Sequence, residues 1–209
     1  MKSKLVLTFA LLALFAASAS AQDEPSGAPA VDSAAVARKL SSRNAFERRA
    51  AAEELARLAS VGHRRLAEGY RAQEKDTRVK LALDWALYRM GKNESIFPLV
   101  DALDEKKQAE QVVGYLRQLE GPGPLYVFLD RVNGNTRIRL LEVLAAVGDR
   151  DTLERIKPFT ESLDPLIADA AKFAEREINI RVEETPVVEP KRQRKTGKVG
   201  SVDETQPPS

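Results

Sequence analysis

The strongest constraint on the fold is an internal repeat. One apolar position recurs at Leu55, Leu87, Leu116, Leu144 and Phe173, at intervals of 32, 29, 28 and 29 residues. A second series, three residues on, runs Leu58, Met90, Leu119 and Val147, and breaks down at Arg176 and Glu177. A small residue then follows at Ala59, Gly91 and Gly148, with Glu120-Gly121 in the third unit. A period near thirty accommodates two helices but no independent core, so each unit must bury its apolar face on the next; this is the pattern of an α-solenoid. The residue usage agrees. Ala, Leu, Glu and Arg dominate, all strong helix formers, and no long stretch alternates β-branched and polar residues as a sheet would require.

Helix boundaries are marked along the repeats. Asn44-Ala45-Phe46-Glu47 reads as a capping box. Asp76 precedes a helix that Gly91 stops, and Asn93 can cap the next one. Pro98 removes a backbone hydrogen bond, which predicts a kink or a late start. Gly121-Pro122-Gly123-Pro124 breaks the chain before a helix over 125–132, and Asn133-Gly134-Asn135 is a turn. Asp149 or Asp151 caps a helix over 152–162, and Asp164-Pro165 opens the last one. Val79, Leu83, Leu87 and Met90 fall on one helical stripe. Leu81, Trp85 and Tyr88 form a second, roughly opposite stripe. Two readings of it stand: a central helix buried on several sides, or an exposed aromatic patch that docks a partner through Trp85.

Asp76-Thr77-Arg78-Val79-Lys80, followed by Leu83, Ala86, Leu87, Met90 and Gly91, resembles the HEAT-like repeats of the phycobilisome-lyase type. Leu144 to Asp149 resembles the same exit, and the likeness covers about residues 41–178. The third unit, 106–120, departs by lacking the Val and Arg pair. The resemblance implies an all-α fold, a short right-handed α-solenoid of about four to five helical hairpins. It further implies a concave face lined by the second helix of each hairpin. Those helices bring Arg64, Arg65, Tyr70, Arg71, Arg131 and Arg155, with His63 and Lys157 alongside. Arginine and tyrosine are frequent interface anchors.

The ends of the chain read differently. Lys2 and Lys4 precede an apolar run from Leu5 to Ala17, and Ala19-Ser20-Ala21 supplies small residues. The run is about 20 Å long as a helix, against about 30 Å for a bilayer core. The expectation is a secretory signal over 1–21, cleaved between Ala21 and Gln22, and a periplasmic or secreted protein. A flexible linker over 22–31, a repeat domain over 32–181 and a disordered basic tail over 182–209 follow. Net charge is +2, and loss of Lys2 and Lys4 leaves a neutral chain, which argues against nucleic acid as a partner. After processing no apolar run of spanning length remains.

The chemistry available is narrow. The chain has no cysteine and one histidine, so thiolate nucleophiles, disulfides, a lipidation cysteine and a His-rich zinc site are excluded. His63, after Gly62, reads as a solvated turn residue. Asp101, Asp104 and Glu105 read as a solvated helix exit, and Asp149 and Asp151 as caps. No phosphate-binding glycine loop occurs, and no cofactor or metal is called for. The leading expectation is an exported protein-binding scaffold that performs no catalysis. A second reading is an envelope structural protein tethered to anionic polymer or lipid through Lys191, Arg192, Arg194, Lys195 and Lys198. A third, from the resemblance alone, is a lyase-type enzyme or enzyme subunit.

Overall fold

The computed structural model describes residues 32–184. The expected signal segment, the linker and the basic cluster Lys191 to Lys198 lie outside the described residues. Among the described residues the secondary structure is entirely helical. The α-helices are α1 (Ser33–Arg38), α2 (Ala45–Arg57), α3 (Arg64–Gln73), α4 (Thr77–Arg89), α5 (Ile96–Asp101), α6 (Ala109–Leu116), α7 (Tyr126–Leu129), α8 (Gly134–Val147), α9 (Arg150–Thr160) and α10 (Pro165–Glu184), with short 3₁₀ turns between several of them. The last helix thus continues three residues past the expected domain end, and Val182 packs against the core.

The caps account for most of the boundaries. Asn44 accepts from the Phe46 N–H, but Glu47 does not close the box directly. Its carboxylate accepts from the Ser42 hydroxyl, which in turn accepts from the Asn44 N–H. Asp76 accepts from the Arg78 and Val79 N–H groups, and Asp164 from that of Leu166. Asp149 forms a full capping box with Thr152. Pro98 produces the late start: a 3₁₀ turn over Asn93–Ser95 comes first, and α5 begins only at Ile96, placing the ring in its first turn. The Gly-Pro run shortens α7 to four residues. The Asn133-Gly134 turn is the beginning of α8, with Gly134 at φ +52°.

Helix α2 packs on α4, and α8 packs on α10; α3 and α5 flank α4, and α9 flanks α10. One apolar core runs through these layers from Val36 to Ile178. Helix α4 is its centre. Every residue from Leu81 to Leu87 is buried, so the helix has no solvent face over two turns, and the second stripe is a packing face. Trp85 stacks on Tyr88 and on Tyr115, with centroids 5.7 and 5.8 Å apart. The Tyr115 hydroxyl donates to Glu53 and accepts from Gln111, tying α6 to α2 across α4. Between α4 and α8 the helices are shorter. Residues 102–108 and 117–125 are 3₁₀ turns and bends around the short α6, where the sequence had lost its repeat pattern.

Candidate functional site

The residues expected on one partner-binding face take up separate duties. Arg64 and Arg65 are exposed in the first turn of α3. Arg71 donates to the buried Asp84 at 2.7 Å, fastening α3 to α4. Tyr70 is half-buried in a recess with Arg48 and Glu74. Arg131 is exposed after α7, and Arg155 lies over the Tyr126 ring at 4.2 Å. Trp85 is 3% exposed. Its expected role as an accessible docking ring is therefore corrected: α4 is surrounded by neighbours, and the indole fills the core. His63 is half-buried, with Nδ1 2.8 Å from the Ser60 hydroxyl.

A different surface has the makings of a site. A cleft of 840 Å³ opens between the stretch Leu103 to Ala109, α8 and α10. Ile138 and Glu142, one turn apart, face it from α8; Leu166, Ala170 and Phe173 face it from α10. Two interactions fix the walls. Arg181 of α10 donates to the carbonyls of Ala146 (2.7 Å), Gly148 (3.0 Å) and Ala145, satisfying the orphan acceptors at the end of α8. Arg139 of α8 bridges Glu110 (3.2 Å) and Glu142 (3.0 Å) along the rim.

The outer face of α10 is unusual for a charged chain. Its inner face, Ala171, Ala174 and Ile178, is fully buried. Its outer face carries Leu166, Phe173 and Ile180, exposed by 63, 42 and 49%. Their seven-residue spacing sets them in a stripe along one side of the helix, and Leu163 stands wholly exposed just ahead of it. The repeat had predicted Phe173 inside. Instead Ala174 takes the buried place, on the inner face that also carries Ala171 and Ile178 against α8. The signal was present in the sequence, in the run of small residues Ala168, Ala170, Ala171 and Ala174, and in the failure of the second series at Arg176.

An apolar floor with mixed charges on its rim suits a polypeptide segment more than a small polar ligand. Among the described residues no three acidic or histidine side chains converge as a metal site, and no helix is long and apolar enough to cross a membrane. Compared with known protein families, curated proteins and solved structures, the chain has no match in any of the three.

Proposed function

We propose that this chain is an exported protein-binding scaffold, a short stack of HEAT-like helical hairpins that binds a helical polypeptide segment along α10 and its cleft and performs no catalysis. The carrying observation is the exposure of Leu166, Phe173 and Ile180 along one side of α10, the first two of them lining the cleft. Apolar patches of this kind on a well-solvated protein mark contact surfaces. The stripe from Leu166 to Ile180 is about 21 Å long at 1.5 Å per residue, the length of four helical turns, and its seven-residue spacing keeps the three side chains on one side of the helix. The layering of α2 on α4 and of α8 on α10 supports the solenoid reading. The apolar run ahead of Ala19-Ser20-Ala21 supports export.

A photo-crosslinking residue at Asn135, which lines the cleft, tests the proposal in the producing cell. The expected result is a discrete polypeptide adduct that disappears when Leu166→Glu and Phe173→Glu are added. An absence of polypeptide adducts at Asn135, or adducts indifferent to those substitutions, would overturn it. The intact mass of the recovered protein reports whether the chain begins at Gln22.

A further inference from the structure

Resting on that reading, the geometry points to a specific occupant: α10 of a second copy of this chain, laid antiparallel along the same stripe about a two-fold axis at Phe173. The argument is the self-complementarity of the helix. With Phe173 on the axis, a residue some number of positions before it faces the residue the same number after it on the copy. Leu166 stands seven before and Ile180 seven after, so each apolar residue meets an apolar residue and Phe173 meets itself. Asp169 stands four before and Arg176 three after, which puts them within about 1.5 Å of one another in height. Both lie on the same flank of the stripe, and a two-fold axis perpendicular to the helices brings each flank against itself. The result is two symmetric Asp169–Arg176 contacts between the copies. On the other flank Ala170 faces Glu177, and the small side chain leaves the carboxylate room to reach water.

A parallel pair, related by an axis along the helices, would bring each flank against the opposite one: Asp169 would meet Ala170, and Arg176 would meet Glu177. The two orientations therefore engage different charges, and only the antiparallel one gives Asp169 a partner. The ion pairs are at the exposed rim, so they set register while the apolar stripe supplies the attraction. An isologous contact of this kind also closes on itself, so it covers the exposed end of the stack without building a fibre.

Charge exchange tests the arrangement directly. Sedimentation equilibrium of the full chain is expected to show a monomer–dimer equilibrium. Asp169→Arg and Arg176→Asp, each with unchanged circular dichroism, are each expected to weaken the dimer by about tenfold or more. The double variant D169R/R176D restores it, and an equimolar mixture of the two single variants forms a mixed dimer, because both of its pairs are again opposite in sign. Association driven by any other segment would be indifferent to these exchanges. A monomeric wild-type chain overturns the inference, as do single variants that associate like wild type or a mixture that fails to pair. Crosslinks from Asn135 separate this from the broader reading. Adducts only to another polypeptide, from a monomeric chain, sink the second copy and leave the scaffold; adducts to nothing sink both.

Discussion

Glu74 and Asp84 are both carboxylates paired with an arginine, and their surroundings move them in opposite directions. Glu74 receives two parallel hydrogen bonds from Arg48, at 2.7 and 2.9 Å, and also accepts from the N–H groups of Lys75 and Asp76. The Arg48 guanidinium does most to hold its pKa down to about 2. Its stabilising effect is therefore complete above the ordinary carboxylate value of about 4.3 and is lost as pH falls toward 2. Glu74→Gln is expected to cost about 2 kcal/mol at neutral pH and to remove much of the acid sensitivity between pH 4.5 and 2, read from urea melts across that range. Asp84 is 4% exposed, its Oδ2 has no hydrogen-bond partner, and burial raises its pKa despite the bond from Arg71. The sign reverses: the folded state is favoured while the group is protonated, and that contribution is lost as pH rises through the raised value. Asp84→Asn should then leave stability at pH 7 equal or higher, whereas a loss of more than about 1 kcal/mol would show that the ion pair outweighs desolvation. The sequence offered Arg71 as a surface anchor, because its partner lies thirteen residues away in a helix too uniformly buried to show an inner and an outer face.

Helix exits show how one sequence pattern conceals two physical reasons. The small residue that closes the repeat is Ala59, Gly91 or Gly148. At Gly91, φ is +88°, and the Lys92 N–H reaches back to the Leu87 carbonyl at 2.9 Å, completing a Schellman cap. Ala59 makes the same turn, with φ +45° and a bond from the Ser60 N–H to the Leu55 carbonyl. Here a β-carbon is held in the left-handed region at a cost of about 1 kcal/mol. Gly148 is extended, with φ −65° and ψ 155°, and is small because a β-carbon would stand 2.5 Å from the Leu144 carbonyl oxygen and 2.6 Å from the Ile178 side chain. Ala59→Gly is therefore expected to stabilise by about 1 kcal/mol and raise Tm by about 2–4 °C. Gly148→Ala should destabilise by about 1–3 kcal/mol, since both the exit of α8 at Leu144 and the Ile178 side chain must give way. Calorimetry on both variants distinguishes the reasons, and a silent Gly148→Ala would show that the α8 exit has room for a β-carbon. Local chemistry of this kind was readable: Asn44, Asp76, Asp149 and Asp164 all cap as their positions predict. Which side of α10 faces inward was legible only in its run of alanines, and the spacing that led to Phe173 pointed the other way.

Across the molecule, four of the five repeat positions lie in the core: Leu55, Leu87, Leu116 and Leu144 are 0–2% exposed, while Phe173 stands on the outer face of α10. The third unit lost the pattern, and there the chain turns through 3₁₀ segments, with α6 spanning eight residues and α7 four. The core continues across this middle through Leu99, Leu103, Val112, Leu116 and Leu125, with Phe97 edge-on to Phe128 at 5.0 Å. Each segment is only as stable as its own packing and hydrogen bonding. Stability should therefore be uneven. Amides in residues 81–87 are enclosed on all sides and those in α8 are packed against α10, so they open only with the whole fold. Residues 104–107 are exposed, and 117–124 carry few helical hydrogen bonds, so they open locally at much lower cost. Hydrogen–deuterium exchange read by mass spectrometry is expected to show α4 and α8 exchanging last and these two connecting stretches exchanging first. Equal protection throughout would mean that the short central helices couple the two ends as firmly as the long ones do, and that the break in the repeat has no energetic counterpart.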